Sequence, residues 1–311
     1  MPPLQATAVP ELADRLAANI QRAVVAREQV LKLAIVGLLA EGHVLLQDVP
    51  GVGKTLLSKT LARSVDASFS RIQFTPDMLP ADITGSSIFN QKLAEFRFVP
   101  GPIFANIVLA DEINRATPRT QAAMLEAMGE RQVTTEGVTH RLPRPFFVIA
   151  TENPVETYGT FPLPEAELDR FLLCFSMGYP EIDEEIGILD REEHEPPTVD
   201  TVLTTEDVQA LQRAVRAVNV SRPVKEYIIR IVAATRQHPE IALGVSSRGA
   251  VAVQRAAQAW AAMVGRPFVV PDDVKGIAPA ALAHRLVLHS PGADRAVGLV
   301  NELLESVAVP L

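Results

Sequence analysis

The sequence predicts an α/β fold: a mostly parallel sheet with helices on both faces, followed by a smaller all-α domain. Three observations lead there. Short apolar runs recur near residues 44–47, 70–74, 107–110, 146–150 and 171–175, with helical or irregular segments between them. The first run passes through a glycine-rich turn straight into a helical pattern. From about Thr204 onward the spacing reads as helical throughout.

The elements follow in chain order. Glu11 to Glu41 carries apolar residues at helical spacing, with a break near Val25-Ala26-Arg27. His43-Val44-Leu45-Leu46 is a strand-like run, and Leu56 to Val65 is a helix-like one. Between them stands Asp48-Val49-Pro50-Gly51-Val52-Gly53-Lys54-Thr55. Strand, glycine-rich turn, Lys-Thr and helix form the context of a phosphate-binding loop. Gly51 and Gly53 let backbone N–H groups close around a polyphosphate, and the helix points its positive end at the same anion. Lys54 can reach the β- and γ-phosphates, and the Thr55 hydroxyl can ligate Mg²⁺. Val49, Pro50, Val52 and Leu56 complete the expected nucleotide contacts. The strict pattern opens with Gly, and Asp48 stands in that place. Asp tolerates unusual turn dihedrals, so the loop can survive the exchange. Its carboxylate is expected to point outward or to cap a turn, because facing the phosphates it would repel them. An ordinary Gly-Pro turn would also fit these residues taken alone.

The run Ile107-Val108-Leu109-Ala110 ends in Asp111-Glu112. Open α/β sheets bind ligands at such carboxyl ends. Asp111 is expected to hold Mg²⁺, directly or through water, and Glu112 to polarise the attacking water. Phe146 to Ala150 leads to Thr151-Glu152-Asn153-Pro154, where Asn153 can hydrogen-bond the γ-phosphate or that water. A turn-forming Asn before Pro is the plain alternative. Arg170 lies in a polar break before Phe171-Leu172-Leu173-Cys174-Phe175, and a surface arginine capping a strand would look the same.

Together these stretches resemble the MoxR-type AAA+ ATPases. DVPGVGKT at 48–55, LADEINRA at 109–116, ATENP at 150–154 and LPEAELDRF at 163–171 carry the resemblance, in that order. Phe74 to Gly85 and Glu95 to Pro102 add to it, and it spans most of the chain from about Val24. It implies ATP and Mg²⁺ as cofactors and a sheet of order 5-1-4-3-2. It implies Walker A roles for Lys54 and Thr55, and Walker B roles for Asp111 and Glu112. Asn153 matches sensor 1, Arg170 the arginine finger and Arg248, in Gly244 to Ala250, sensor 2. Relatives often continue Gly-Gln after the position of Val24-Val25 to wrap the adenine, and this chain has Ala26-Arg27 instead.

Two insertions read as hairpins. Ser86 to Phe98 turns about Asn90-Gln91-Lys92, and Glu130 to Leu142 turns at Glu136-Gly137 between β-branched residues. In the family they resemble the helix-2 insert and the pre-sensor-1 hairpin, which face a central pore. Asp183 to His194 reads as a charged helix ended by Glu195-Pro196-Pro197. The domain boundary is placed there: residues 1–195 for the nucleotide-binding unit, 196–311 for the lid. Thr204 offers an N-cap before an acidic turn, Ser246-Ser247 can cap the helix of Arg248 and Trp260, and Pro271 starts another helix. Four to five lid helices are expected, with Val251, Ala252, Arg255, Ala256 and Ala259 as a packing stripe.

Composition narrows the function class. A chain of 311 residues with 48% hydrophobic and 21% charged residues can bury two cores. A net charge of −8 argues against a standing nucleic-acid grip. One cysteine, Cys174 in an apolar run, excludes an intrachain disulfide and reads as a core thiol. The six histidines lack ligand spacing. No apolar run is long enough to span a membrane, the start lacks a signal core, and a cytoplasmic protein is expected. The expected activity is ATP hydrolysis by a homo-oligomeric ring, a hexamer by resemblance, that remodels a protein partner. The resemblance implies partners with a von Willebrand factor A domain. A nucleic-acid-remodelling motor, a P-loop small-molecule kinase and a catalytically dead scaffold are the competing readings. Glu112, Asn153 and the Arg248 lid disfavour the kinase, and an intact Glu112 disfavours the scaffold.

Overall fold

The apolar run ahead of the glycine-rich turn lies inside a five-stranded parallel sheet in a computed structural model, which describes residues 8–92, 94–154, 159–192, 199–290 and 292–310. Helices α1 (Val9–Gln21) and α2 (Glu28–Leu39) precede β1 (Val44–Gln47). Then come α3 (Lys54–Ser64), β2 (Phe69–Gln73) and α4 (Pro80–Thr84). A hairpin of β3 (Gly85–Asn90) and β4 (Glu95–Pro100) leads to β5 (Ile107–Asp111) and α5 (Pro118–Glu130). A second hairpin, β6 (Gln132–Thr135) and β7 (Val138–Arg141), precedes β8 (Phe147–Glu152), α6 (Glu165–Leu168), β9 (Leu173–Phe175) and α7 (Ile182–Glu192). The tail holds α8 (Thr205–Arg216), α9 (Arg222–Thr235), β10 (Ile241–Leu243), α10 (Ser247–Met263), α11 (Pro271–Leu282), β11 (Val287–Leu288) and α12 (Ala293–Ser306).

The sheet runs β2-β5-β8-β1-β9, which is the expected 5-1-4-3-2 once the hairpin strands are left out of the count. Its three inner strands, β5, β8 and β1, are largely apolar on both faces because both faces are covered. All five residues of β5 are buried, and so are the first five of β8. Alternate side chains go to opposite layers. Leu46, Leu109 and Ile149 join the layer built by α1, α2 and α3, while Leu45, Val108 and Val148 pack with Met124 and Leu125 of α5. Each such Leu or Ile contributes about 1.5–3 kcal/mol when fully buried. Residue 37 must be glycine for α2 to lie on β1. A Cβ there would come within 2.6 Å of Val44 Cγ1.

The first layer continues into the tail without a break. Leu31, Ile35 and Leu38 of α2 share one cluster with Leu211 and Val215 of α8 and Ala252 and Ala256 of α10. Asn19 ties α1 to α3 and to the lead-in to α8, donating to Ser64 Oγ (2.9 Å) and Asp200 O (2.8 Å). The tail is helical, with one addition that its periodicity hides: β10 and β11 pair antiparallel. At three and two residues they are too short to show a period of two. The caps form as expected. Thr204 and Asp207 make a reciprocal capping box on α8, and Ser246 Oγ accepts from the Arg248 and Gly249 amides. Two corrections apply. In the α10 stripe Ala252, Ala256 and Ala259 are buried, but Val251 and Arg255 are exposed. Cys174 is half-buried on β9, where its thiol donates to Gln47 Oε1 at 3.3 Å. The expected domain boundary at Glu195-Pro196-Pro197 lies outside the described residues. Among those residues no helix is long and apolar enough to cross a membrane.

His43, just before β1, gives the fold a pH dependence. The Val148 N–H donates to Nδ1 (3.0 Å), so the ring proton sits on Nε2, which bonds Met128 O (3.2 Å). Burial is the main cause that lowers the His43 pKa to about 4, and the Arg131 charge adds to it. His284 is shifted the same way, chiefly by burial. An unfolded histidine takes up its proton near pH 6.5, well before the folded one. Stability is therefore full above about pH 6.5 and falls as pH drops towards 4, by at most ~1.4 kcal/mol per pH unit for each histidine. Urea midpoints measured across this range should show that slope, and His43→Gln should flatten it. An unchanged slope in the variant would contradict a neutral His43.

Candidate functional site

Glycine conformation shapes the loop after β1. Gly51 and Gly53 both have φ of +90°, a left-handed setting that costs a side-chain-bearing residue more. No atom lies within 4 Å of a Cβ placed on Gly51, so the demand there is conformational rather than steric. Gly53 caps α3, and Lys54 and Thr55 open the helix, whose first N–H groups have no partner within it. Val49, Val52, Gly53 and Thr55 are half-buried, while Pro50, Gly51 and Leu56 are exposed around the loop. The Lys54 ammonium is buried and donates to Asp48 O at 3.0 Å. Burial lowers its pKa, and the charges of Asp48, Asp111 and Glu112 oppose that shift.

Asp111 and Glu112 close β5, in a sheet where β5, β8 and β1 are adjacent and parallel. The loop, the acidic pair and Asn153 therefore share the carboxyl ends of three neighbouring strands. Asn153 follows β8 and is buried. Glu112 is held in the left-handed region at φ +56°, a setting that costs a non-glycine residue about 1–3 kcal/mol. Thr151 supports it: its fully buried hydroxyl accepts the Glu112 N–H (2.8 Å) and donates to Asp111 Oδ1 (2.7 Å).

Strand β2 supplies partners that sequence reasoning missed. Arg71 donates twice to Asp111 Oδ2, from Nε at 3.0 Å and Nη2 at 2.6 Å. Gln73 Nε2 donates to Glu112 Oε2 at 2.9 Å, and Arg71 Nη2 bonds Gln73 Oε1 at 2.6 Å. Arg115 Nε lies 3.1 Å from the same Glu112 oxygen. Both carboxylates are thus oriented and partly neutralised by side chains of this chain. The available signal was the spacing: Arg71 and Gln73 are two apart on a strand, hence on one face. Thr55 and Asp111 fit Mg²⁺, which takes one or two protein oxygens and fills its octahedron with water and phosphate. Among the described residues no group of three or more His, Cys, Asp or Glu could hold a metal alone.

Arg170 stands elsewhere. It precedes β9, whose Leu173 pairs with Val44 at the amino end of β1, whereas the loop follows the carboxyl end. It is at the opposite end of the sheet from Lys54. Its Nη1 donates to Leu125 O (3.0 Å), and its Nε lies 2.8 Å from Glu167 Oε2, an ion-pair distance without hydrogen-bond alignment. Arg248 lies on the same side. It is exposed, 4.0 Å from Asp169 Oδ2, and lines a cavity of about 250 Å³ with Arg170, Asp169, Arg255 and Arg285. Buried Arg285 donates to Asp169 Oδ1 at 2.8 Å, and Ser246 Oγ donates to Oδ2 at 2.9 Å. One carboxylate thereby joins the Arg170 segment to the start of α10. Arg255, read from sequence as packing, faces this cavity instead.

Comparison with known proteins agrees with this architecture. A family model described as "ATPase family associated with various cellular activities (AAA)" matches residues 43–173, and an AAA lid domain model matches 233–306. An uncharacterised protein of Bacillus subtilis, YeaC, is 52% identical over 94% of this chain and 93% of its own length. The chaperone MoxR1 of Mycobacterium tuberculosis is 41% identical over 96% of this chain and 82% of its own. A crystallised Cytophaga hutchinsonii protein described as a candidate ATPase superposes with a TM-score of 0.91 at 34% identity, covering 98% of this chain and 97% of that one.

Proposed function

Because this chain belongs to the MoxR-type AAA+ ATPases, we propose that it hydrolyses ATP to ADP and phosphate in a ring of its own copies and uses the energy to remodel a protein partner. One observation supports this reading most. Lys54, Asp111, Glu112 and Asn153 gather at one end of the sheet, while Arg170 and Arg248 share a cavity at the other. Within one chain the two arginines of that cavity, Arg170 and Arg248, stand at the far end of the sheet from the hydrolytic groups. A neighbour turned so that its arginine cavity meets this loop would complete the site, which favours a closed ring.

The roles we propose are consistent with this geometry. Val49 to Leu56 wraps the phosphates, with Lys54 and the first amides of α3 neutralising them. Mg²⁺ held by Thr55 and Asp111 would supply further neutralisation of the transferred group. Glu112, aimed by Gln73 and Thr151, accepts a proton from the attacking water. Asn153 orients that water or the γ-phosphate. Arg170 and Arg248 face the neighbour's phosphates. We assign residues 1–195 to the nucleotide-binding unit and 196–311 to the lid, and place the protein in the cytoplasm, where ATP is supplied.

The two hairpins support a client-facing surface. Phe98 of β4 stacks on His140 of β7 with ring centroids 3.8 Å apart, so the insertions touch. Ile88, Phe89, Phe96 and Val138 on them are exposed. A von Willebrand factor A domain protein is the partner class we propose, and a hexamer the ring size. The test is ATP turnover per chain across a dilution series, with assembly followed by light scattering. Turnover should rise as the chain assembles. A constant turnover per chain from monomer to oligomer would sink the ring reading, and stimulation by DNA alone would redirect it to a nucleic-acid motor.

A further inference from the structure

Asp48 occupies the position where the phosphate-loop pattern has glycine, and its side chain is neither idle nor solvent-facing. The residue is 5% exposed. Its carboxylate accepts three hydrogen bonds from the segment after β9: Oδ1 from Ser176 Oγ (2.6 Å) and the Gly178 N–H (3.2 Å), Oδ2 from the Met177 N–H (2.6 Å). Its backbone works separately, with the N–H donating to Glu152 O (3.1 Å) and the carbonyl accepting Lys54 Nζ (3.0 Å). Glycine could supply both backbone contacts. Only the carboxylate reaches residues 176–178.

That segment has a definite place relative to the chemistry. In the sheet, β1 lies between β8 on one side and β9 on the other, and β5 with its acidic pair lies beyond β8. The γ-phosphate must sit on the β8 and β5 side to meet Glu112 and Asn153. The ribose and base therefore extend across β1, towards residues 176–178. There Met177 is buried, with its Cε 3.9 Å from a Cβ position on Gly53. Its carbonyl accepts Arg27 Nη2 at 3.3 Å. Gly178 is left-handed at φ +71°, and a Cβ there would lie 2.9 Å from the same guanidinium nitrogen.

We propose that Asp48 is a positioning residue of the nucleotide site: it fastens Ser176–Gly178 to the phosphate loop, and so sets the wall of Met177, Gly178 and Arg27 against which the ribose-base end of a nucleotide rests. This rests on the phosphate-loop reading above. Removing the carboxylate is then expected to lower nucleotide affinity. Two effects of opposite sign compete. Removing a carboxylate near a polyphosphate should tighten binding by Coulomb's law, and releasing the wall should weaken it. The carboxylate already takes three N–H or O–H donors, so its charge is largely answered locally and the second effect wins.

The experiment uses the full chain, a fluorescent ADP analogue, and amide hydrogen exchange at Met177 and Gly178. Asp48→Asn keeps the shape but cannot accept all three bonds, and its NH₂ faces donors. Binding should weaken about tenfold, ~1.4 kcal/mol, with the loss in steady state falling on KM more than on kcat. Ser176→Ala removes one bond and should weaken binding about two- to threefold, ~0.4–0.7 kcal/mol. ADP should slow exchange at the Met177 and Gly178 amides of the wild type and not in Asp48→Asn. Unchanged or tighter binding by Asp48→Asn overturns the proposal. Should that variant not fold, wild-type amides at 177 and 178 that ignore ADP overturn it equally. Lys54→Ala separates the two levels: if it loses ADP while Asp48→Asn keeps it, the positioning role alone falls. If Lys54→Ala binds ADP like the wild type, the phosphate-loop reading falls and takes this proposal with it.

Discussion

Lys54→Ala should lose nucleotide binding, whereas Glu112→Gln should keep ATP bound and stop turning it over. In the proposed site Lys54, a buried ammonium beside the first amides of α3, would meet the phosphates in the ground state. A hydrogen bond to a charged group is worth about 1.5–3 kcal/mol, or roughly 10- to 100-fold in affinity. As the proposed base, Glu112 would act only as the water is deprotonated, so its loss should fall on kcat, by roughly 10²–10⁴-fold. Glutamine suits the test because its carbonyl oxygen can still accept from Gln73 and Arg115, which keeps the side chain in place. Equilibrium binding of a fluorescent ATP analogue and phosphate release, measured on both variants, decide the matter. Equal loss of ATP binding in the two would overturn the division of roles. Glu112→Gln is also the form to use for isolating the partner, since it should stay in the ATP state.

Arg170→Ala should bind ATP normally and hydrolyse it slowly, and mixing it with Lys54→Ala should restore activity. The side chain is at the far end of the sheet from its own Lys54, so its loss leaves that phosphate loop untouched. Within its own chain it makes one hydrogen bond to Leu125 O and one partly exposed ion pair, so the cost in stability should be small. An arginine supplied to a neighbour's γ-phosphate is worth roughly 10³–10⁵ in rate. In an equal mixture about one interface in four pairs an intact loop with an intact arginine, so roughly a quarter of wild-type turnover should return. Either variant alone stays near background. If light scattering shows mixed rings and turnover does not recover, Arg170 does not act across the interface. Arg248, which lines the same cavity, is then the residue to put through the same mixing.

Much of this molecule is legible from local pattern. The strands near 44–47 and 107–110 are apolar runs of the length a covered parallel strand needs, and they form where expected. The helix caps at Thr204 and Ser246 depend on one side chain and the amides next to it, so they too read from sequence. The strand order came from resemblance, because sequence spacing alone does not say which strands lie side by side. Val251 and Arg255 were misread for a related reason. Helical spacing defines a stripe but does not say which face a neighbour covers.

By itself the sequence determined the alternating α/β plan, the turn at Gly51 and Gly53, the acidic pair at a strand end and the two hairpins. Each is decided by residues within a few positions of one another, through backbone dihedrals and side-chain alternation. Only the tertiary structure decided what meets across the chain. It set Arg71, Gln73 and Thr151 around Asp111 and Glu112, although 39 or 40 positions separate each bonded pair. It gave the Asp48 carboxylate its three donors from 128 to 130 residues away. It put Arg170 and Arg248 in one cavity, away from Lys54. The physical reason is common to all three: sheet order and packing bring distant segments together, and a charge finds its partner in space rather than in sequence.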